Sequence, residues 1–431
     1  MTHEENMLLC LVEGNAPMGQ LMRRHWQAVC LAEEIPKPNS SPVRARVLGE
    51  NLVAFRDTNG QVGVLDELCP HRGASLVYGR NEHGGLRCLY HGWKMDVCGR
   101  IIEMSSAPAD RPTKLNKLKH MAYPTHEWAG VVWAYMGPPE TMTAFMPPPW
   151  APTDDVQVSI AKIIIPANWA QILEGQIDST HSSSLHSSDL LNPSVSNNSP
   201  ASDIPYRFDD DKTPRIQVEV NNYGFRYAAL RRPAQNTGTH QHVRTTVFLA
   251  PATALIPPDV QYNMANFNTP IDDHHTAFHF IAWGDPKTTP GTATWRKFLH
   301  TEVGVDVDAA FRPVRHVDNH FMQDRDVMAR GNFTGILGIP NQDMAMWTGM
   351  GTIRAREHDH LSPGDEAIVT FRRQMLDAVK SFATGGPAIG TGDLRAPTEV
   401  CSFQGMLPKI INWRDLNCSR IEGGPKYPTK R

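Results

Sequence analysis

The chain has 431 residues, is 40% hydrophobic and carries a formal net charge of −3. It contains no apolar run long enough to cross a bilayer and its charges nearly balance, so neither a membrane nor a nucleic acid is an expected partner. The first residues lack the basic segment and apolar core of a secretion signal, and the seven cysteines suggest no disulfide framework. We therefore expect a cytoplasmic protein with reduced thiols.

The start of the chain predicts a helix followed by a small antiparallel β domain. Apolar residues recur at helical spacing from Met18 to Trp26, which predicts a short helix there. Short β-type runs follow at 43–48 and 52–56, and the pair Asn59–Gly60 precedes another run at 62–65. An Asn–Gly pair between apolar runs is a strong signal for a β-hairpin.

Four potential metal ligands lie in two turn sequences of this β region. They form a Cys-x-His pair and a Cys-x-x-His pair, namely Cys69, His71, Cys88 and His91. Two thiolates can hold one iron of a [2Fe–2S] cluster while two imidazoles hold the other. Zinc also binds two Cys and two His, but these residues lie in glycine-containing turns and not in a finger whose helix carries the histidines. The segment resembles the Rieske signature, which implies a [2Fe–2S] cluster on these four residues.

Prolines mark the end of this first domain. The apolar run 131–135 predicts its last strand, and Pro138, Pro139 and the prolines at 147–149 interrupt regular structure after it. We therefore expect one domain at 27–140 and a second domain formed by 1–26 together with 141–431.

The second domain is predicted to be α+β. Its β-type runs span 159–165, 217–220, 225–229, 243–250 and 276–283. Helical spacing of apolar residues predicts helices at 168–177 and 364–382. Mixed strands and helices of this kind are typical of an antiparallel sheet with flanking helices.

A second metal site is predicted at His181 and His186. Two histidines and one carboxylate on one side of an iron(II) ion leave the other positions open for dioxygen and substrate. The pair alone is a weak signal, and it gains value from lying downstream of a cluster motif. His316 and His320, one helical turn apart and followed by Asp324, are the rival pair. We rank them lower because the charged residues around them predict a solvated helix.

The segment at His181 and His186 is similar to the iron-binding segment of the Rieske non-haem iron ring-hydroxylating oxygenases, in their catalytic α subunit. The matching residues are Asn168, Trp169, Glu174, Asp178, His181 and His186. In that family the third ligand is an aspartate far downstream, and the resemblance assigns this role to Asp343. The chain has Gly175 where many members carry asparagine, so an amide near the iron is missing. The sequence Gln342-Asp343-Met344-Ala345 is most similar to the phthalate 4,5-dioxygenase branch of the family.

The resemblance implies a helix-grip-like catalytic domain that uses dioxygen to convert phthalate into its cis-4,5-dihydrodiol. Electrons would come from NADH through a separate reductase with a flavin and a [2Fe–2S] centre, since the chain has no nucleotide-binding glycine motif. Members of the family form homotrimers or stacked pairs of trimers. The resemblance also implies that Asp178 bridges His91 of one subunit to His181 of the next.

Phthalate carries two carboxylates, which arginine recognises through its rigid fork of donors. The candidate contacts are Arg207 and Arg244, with the hydroxyl of Ser179 beside the iron motif. Alternation along a strand places Arg244 on the same face as Phe248. The arginines that remain as alternatives are Arg226, Arg231 and Arg232.

Two other functions agree with the same motifs. One is a Rieske monooxygenase that removes O-methyl or N-methyl groups from another aromatic acid, and the metal ligands do not distinguish it from a dioxygenase. The other is a Rieske electron carrier with no second metal, which an iron count would identify.

Overall fold

The computed structural model describes residues 1–105, 118–145, 156–190, 211–233, 236–257, 262–397 and 400–416. The chain divides into two compact units. The smaller unit consists of Leu11–Met146 and Thr269–Asp273, and the larger one of Met1–Cys10, Pro147–Asn268 and His274–Arg431. Residues 11–26, which were expected to belong with 141–431, lie in the smaller unit.

Short antiparallel strands build the smaller unit. Within the described residues they are β1 (Trp26–Leu31), β2 (Val43–Val47), β3 (Glu50–Arg56), β4 (Val62–Asp66), β5 (Arg80–Glu82), β6 (Gly85–Arg87), β7 (Trp93–Met95), β8 (Ile101–Met104), β9 (Ala122–Tyr123), β10 (Thr125–Trp128) and β11 (Val131–Tyr135). They form sheets in the orders β1-β11-β10, β2-β3-β4-β9 and β5-β6-β7-β8. The predicted antiparallel β domain is confirmed.

The Asn59–Gly60 pair lies in the turn between β3 and β4, as predicted. The Asp57 carboxylate accepts hydrogen bonds from the N–H groups of Asn59 and Gln61, at 2.8 and 2.9 Å. Gly60 has a φ of 82°, a left-handed conformation that glycine adopts without a steric penalty. The turn therefore fixes the register in which Arg56 pairs with Val62.

One large antiparallel sheet organises the larger unit. Its strands are β12 (Gln157–Ile165), β13 (Arg215–Asn221), β14 (Gly224–Arg231), β15 (His240–Leu249), β16 (Thr253–Ile256), β17 (Asn263–Pro270), β18 (Thr276–Gly284) and β19 (Phe403–Pro408). Their order is β12-β18-β17-β16-β15-β14-β13, and β19 pairs with β15. The α+β class predicted for this part of the chain is confirmed.

The helices flank these sheets. Within the described residues they are α1 (His3–Cys10), α2 (Pro17–Met22), α3 (Trp169–Gln176), α4 (Ser187–Leu190), α5 (Thr292–Phe298), α6 (Arg325–Ala329), α7 (Ile339–Gly349) and α8 (Glu366–Ala383). The prediction of a helix from Met18 to Trp26 is wrong at its end, because α2 stops at Met22 and Trp26 opens β1. None of the described helices is both long and apolar enough to span a membrane.

Two helices support the metal-binding segment of the larger unit. The side chain of Asn168 caps α3 by accepting a hydrogen bond from the N–H of Ala170 at 3.1 Å. Helices α3 and α7 share one apolar core with β12 and β18, which includes Ile163, Ile172, Phe278, Met344 and Trp347. Burying each such side chain contributes about 1.5–3 kcal/mol, so this core holds α3 and α7 in fixed positions.

Candidate metal centres and their surroundings

The two cysteine-bearing turns of the smaller unit fold as a matched pair of loops. In each, the cysteine N–H donates to the carbonyl oxygen five residues later, at 2.9 Å from Cys69 and 2.8 Å from Cys88. In each, a glycine N–H four residues after the cysteine donates back to the cysteine carbonyl, at 2.9 and 3.0 Å. Gly73 and Gly92 both have a φ of 73°, which explains why glycine occupies the same place in both loops.

The loops bring the predicted cluster ligands together. The rings of His71 and His91 have centroids 4.4 Å apart. Cys69 and Cys88 are buried in the core of the unit. Burial, with a contribution from the Cys88 thiol, raises the pKa of Cys69 to about 11, although nearby N–H groups act in the opposite direction. Nδ1 of His71 is buried and has no hydrogen-bond partner among the described residues, which is the state expected of a ligand atom.

This donor set fits a two-iron cluster better than a single zinc ion. Tetrahedral zinc would hold all four ligand atoms around one point, with metal distances of about 2.0–2.3 Å. In the part of the chain that the structure describes, these residues do not form a group of three or more ligand atoms within 4.8 Å of one another. A [2Fe–2S] cluster spreads its two ligand pairs over two irons, so a wider separation is expected.

His181, His186 and Asp343 do form such a group in the larger unit. Their ligand atoms all lie within 4.8 Å of one another. Nε2 of His186 is 3.2 Å from Nε2 of His181 and 3.1 Å from Oδ1 of Asp343. Nε2 of His181 is 3.7 Å from the same carboxylate oxygen. Two imidazoles and one carboxylate converging in this way fit a mononuclear iron(II) ion.

Each histidine of this group turns its second ring nitrogen toward another side chain. Nδ1 of His181 lies 3.5 Å from Oδ2 of Asp178, and Nδ1 of His186 lies 2.7 Å from Oε1 of Gln342. Metal-binding histidines usually donate their other N–H to such an acceptor, which fixes the ring. The sequence indicated Asp178 but gave no role to Gln342. The signal that could have found Gln342 is its position directly before Asp343.

Asp178 is held as a carboxylate. Burial raises its pKa, but the adjacent His181 imidazole, together with hydrogen bonds from Thr180, outweighs burial and keeps the pKa below its usual range. Oδ1 of Asp178 accepts from the N–H and the hydroxyl of Thr180, at 2.6 and 2.5 Å. These bonds orient the carboxylate so that Oδ2 faces the imidazole of His181.

The rival pair at His316 and His320 is not arranged for metal binding. The spacing predicted one helical turn, whereas the segment Val317–Met322 is a short 3-10 helix that is kinked at its centre. His320 has a φ of 50° and the next residue a φ of 54°, both in the left-handed region. The two imidazoles therefore do not share a helix face, and this prediction of a helical turn is wrong.

The side chain of Trp347 explains the glycine at position 175. A β-carbon added to Gly175 would lie 2.1 Å from Nε1 of the Trp347 indole, closer than real contacts allow. Trp347 is one helical turn beyond Asp343 on α7 and is buried. An asparagine at 175 would need the room that this indole occupies. The position of Trp347 therefore explains why this chain has glycine where many members of the family have asparagine.

Glu174, which belongs to the matching motif, serves the packing of α3. It lies 2.9 Å from Nε of Arg356 and 2.7 Å from Nε of Arg372. Arg356 also donates to the amide oxygen of Asn6 in α1 at 2.9 Å. Removing one partner from a buried ion pair destabilises a protein by about 3–5 kcal/mol, so this network contributes to the position of α3.

One face of the β14–β15 pair carries polar residues toward the metal-binding segment. Residues that pair directly across strands share a face. The paired residues on that face are Tyr227 and Thr246, Ala229 and Arg244, and Arg231 and His242. The Ser179 hydroxyl hydrogen-bonds the Tyr227 hydroxyl at 2.8 Å, and Arg231 donates to the Ser179 carbonyl at 2.8 Å. Ser179 and Arg244 are therefore both connected to one polar sheet face.

Fixed positive charge is the main electrostatic property of this face. Burial, reinforced by the charges of Arg231 and Arg244, lowers the pKa of His242 to about 3, so that this imidazole is neutral at pH 7. Arg244 donates to the amide oxygen of Gln404 at 2.5 Å. Two guanidinium groups beside a neutral imidazole suit an anionic ligand.

The other candidate arginines differ in their placement. Arg226 lies on the opposite sheet face, where it donates to the Leu416 carbonyl at 2.9 Å and stacks over the Trp413 ring at 5.6 Å. It therefore holds the segment around Trp413 and Leu416 against the sheet. Arg207 lies outside the described residues, so its contacts remain a prediction.

Taken together, the two donor sets and the folds that carry them define an iron-dependent oxygenase with a [2Fe–2S] cluster site in one unit and a mononuclear iron site in the other. The Rieske [2Fe–2S] domain family matches residues 25–121, and the LigXa C-terminal domain-like family matches residues 134–429. The chain belongs to the Rieske non-haem iron oxygenases, as their catalytic subunit. The predicted enzyme class and cofactors are confirmed, which excludes the electron-carrier alternative.

Relatives of known function cover nearly the whole chain. It is 60% identical to the phthalate 4,5-dioxygenase oxygenase subunit of Pseudomonas putida, over 98% of this chain and 96% of that protein. It is 34% identical to the 3-chlorobenzoate-3,4-dioxygenase oxygenase subunit of Comamonas testosteroni, over 97% of this chain and 98% of that protein. Like these relatives, the chain is one component of a multicomponent system that depends on separate redox proteins.

Solved structures show the same fold at low sequence identity. The terminal oxygenase of carbazole 1,9a-dioxygenase from Nocardioides aromaticivorans IC177 matches with a TM-score of 0.53 and 19% identity, over 84% of this chain and 97% of that chain. Dicamba monooxygenase bound to dicamba matches with a TM-score of 0.56 and 16% identity, over 84% of this chain and 99% of that chain. These likenesses confirm the predicted fold class and say nothing of the substrate.

Proposed function

We propose that the chain is the oxygenase component of a phthalate 4,5-dioxygenase, which forms the cis-4,5-dihydrodiol of phthalate from phthalate, dioxygen, two electrons and two protons. The observation that carries this proposal is the 60% identity, over 98% of the chain, to a subunit with that activity. The positively charged sheet face beside Ser179 supports it, because an aromatic dicarboxylate needs fixed cations for recognition.

We assign His181, His186 and Asp343 as the iron ligands and Cys69, His71, Cys88 and His91 as the cluster ligands. The bound iron supplies activation of dioxygen, and the cluster supplies electrons one at a time. The chain itself contributes orientation. Asp178 and Gln342 fix the two imidazole rings, and α7 presents the carboxylate of Asp343 to the same group of ligand atoms.

Substrate binding is assigned to Arg244, Ser179 and Arg207. The Arg244 guanidinium would pair with one carboxylate, and the Ser179 hydroxyl would donate a further hydrogen bond. Tyr227 holds that hydroxyl in place at 2.8 Å. Holding both carboxylates would set which ring carbons face the iron, and this is how the pocket would direct hydroxylation to positions 4 and 5.

We assign a homotrimer or a stacked pair of trimers as the assembly, with electron transfer running from the cluster of one subunit to the iron of its neighbour. Asp178 would bridge His181 to His91 of the neighbouring subunit, since a carboxylate can accept from the free N–H of each imidazole. The side chain of Asp178 is 18% exposed, so a second partner can reach it. A separate NADH-dependent reductase with a flavin and a [2Fe–2S] centre would reduce the cluster.

Truncating Arg244 is expected to weaken phthalate binding. Arg244→Ala should raise the KM for phthalate by about 10- to 100-fold, the value of one charged hydrogen-bonding group, and leave the iron content unchanged. Steady-state product formation and iron analysis measure both. Arg226→Ala is the matched control, since this arginine lies on the opposite sheet face, and its KM should stay at the wild-type value. An unchanged KM in Arg244→Ala would remove this residue from the pocket.

The proposed reaction is tested by incubating the iron-loaded protein with phthalate, labelled dioxygen and an electron source, followed by mass spectrometry. A dihydrodiol that contains both labelled oxygen atoms is the expected product. Electron consumption without oxygenated phthalate would reject this substrate. In a parallel incubation with an aromatic methyl ether, release of the phenol and formaldehyde, with one atom of the labelled dioxygen in formaldehyde and the other in water, would instead establish the monooxygenase alternative.

A further inference from the structure

The side chain of Gln342 is completely buried and directly contacts a predicted iron ligand. Its Oε1 lies 2.7 Å from Nδ1 of His186. We propose that Gln342 is a positioning residue, which selects the tautomer of His186 and fixes its ring for metal binding. This inference deepens the proposed function and rests on the assignment of His186 and Asp343 as ligands of the mononuclear iron.

The surroundings of Gln342 decide which end of its amide faces the histidine. Nε2 of Gln342 donates to the carbonyl oxygen of Ile336 at 2.9 Å and lies 3.2 Å from the hydroxyl of Thr334. A backbone carbonyl accepts only, so the NH₂ group must point toward Ile336. The oxygen of the amide is then the atom that faces His186, and it can only accept a hydrogen bond.

An acceptor at this place determines where His186 carries its proton. Nδ1 must be the protonated nitrogen, because Oε1 of Gln342 has no hydrogen to give. In the neutral imidazole the lone pair then lies on Nε2, which is 3.1 Å from Oδ1 of Asp343. A metal ligand needs this lone pair, so Gln342 prepares His186 for binding before any ion arrives.

Helix α7 couples this orientation to the carboxylate ligand. Gln342 and Asp343 are adjacent residues of Ile339–Gly349, so one helix supplies both a ligand and the group that orients His186. The two histidines differ in their partners. His181 faces the carboxylate of Asp178, whereas His186 faces a neutral amide, which fixes the ring without adding a negative charge to the site.

The experiment measures binding of Co²⁺ to protein that keeps its [2Fe–2S] cluster but has been depleted of mononuclear iron. Gln342→Met removes the acceptor at similar side-chain length, and Gln342→Glu retains an oxygen acceptor. Gln171→Met is the matched control, since Gln171 is an equally buried amide that bonds to the carbonyls of Trp347 and Gly351 at 2.5 and 2.8 Å without contacting a ligand. Low-temperature electron paramagnetic resonance of bound Co²⁺, recorded with the cluster oxidised and therefore silent, reports both occupancy and ligand geometry.

We expect the Kd for Co²⁺ to rise about 10- to 100-fold in Gln342→Met, as for other residues that orient a metal-bound histidine. We expect Gln171→Met to stay within about threefold of the wild type. We expect Gln342→Glu, which keeps an acceptor for Nδ1 of His186 but loses the donor to Ile336, to lose less Co²⁺ affinity than Gln342→Met. A wild-type Kd in Gln342→Met would overturn the proposal. So would an equal loss in Gln171→Met, because the effect would then be general destabilisation. If Gln342→Met does not fold, Gln342→Leu, which also removes the acceptor, decides, and a wild-type Kd there overturns the proposal.

Failure of this inference is distinguishable from failure of the proposed function. Wild-type protein that binds Co²⁺ with the expected dependence on Gln342, yet yields no oxygenated phthalate, would reject only the substrate. If Asp343→Ala binds Co²⁺ as tightly as the wild type does, the assignment of Asp343 as a metal ligand is itself rejected.

Discussion

Asp343→Ala should abolish product formation and lower the iron content from about three to about two atoms per chain, because only the cluster irons remain. Asp343 is the sole carboxylate in the group with His181 and His186, within the described residues. Two imidazoles alone leave the ion without the anionic ligand that iron(II) sites of this type use. The Rieske absorption and electron paramagnetic resonance signals should not change, since the cluster ligands belong to the other compact unit.

Asp324→Ala is the control for this variant, since Asp324 follows the rival pair His316 and His320. Its carboxylate caps α6 by accepting from the N–H groups of Asp326 and Val327, each at 2.9 Å. Loss of a cap costs about 1 kcal/mol of stability and should leave the iron content at its wild-type value. If iron were lost from Asp324→Ala and retained in Asp343→Ala, the site would have to be moved to the rival pair.

Asp178→Asn should leave both metals bound and slow product formation about a hundredfold, the upper end of the effects seen when a group that orients a metal-bound histidine is changed. The carboxylate has two acceptor oxygens, one used by Thr180 and one facing His181 at 3.5 Å. Asparagine keeps the shape but has only one acceptor oxygen, so it cannot accept from two imidazoles and Thr180 together.

Stopped-flow absorbance of a pre-reduced cluster, mixed with dioxygen and phthalate, measures the affected step directly. Iron analysis on the same sample establishes that the metals are retained. Asp359→Asn is the matched control, because Asp359 pairs with Arg372 and Arg354, at 2.8 and 3.0 Å, and contacts no predicted ligand. It should lower thermal stability and leave the rate of cluster oxidation unchanged. Wild-type oxidation in Asp178→Asn would refute the bridging role.

The metal ligands that lie close together in the chain were predictable because their geometry is local. Each cysteine loop is closed by hydrogen bonds spanning four and five residues, so all the residues that form it, including its glycine, lie in one short segment of the sequence. His181 and His186 share a segment in the same way. The hairpin at Asn59–Gly60 and the apolar spacing of α8 are also local signals, and both predictions hold.

Contacts between distant segments were decided only by the tertiary structure. Asp343 was placed by resemblance, since nothing local links it to the histidine segment. The role of Gln342 depends on how α7 lies against the segment that carries His186, and the steric reason for Gly175 depends on how α7 packs against α3. No pattern of residues along the chain specifies either contact.

Strand alternation shows the same division between local and tertiary information. It correctly groups Arg244 with Phe248, yet alternation cannot tell which face of a sheet lies next to the metal ligands. Alternation also groups His242 with Arg244, but only the pairing of β14 with β15 places Arg231 beside them and puts Arg226 on the other face. The sequence alone determined the chemistry of the ligands and the local loops that carry them, because short-range hydrogen bonding and periodicity suffice for these. The surroundings of the ligands were decided by long-range packing, because side chains far apart in sequence become neighbours only when the apolar core is buried.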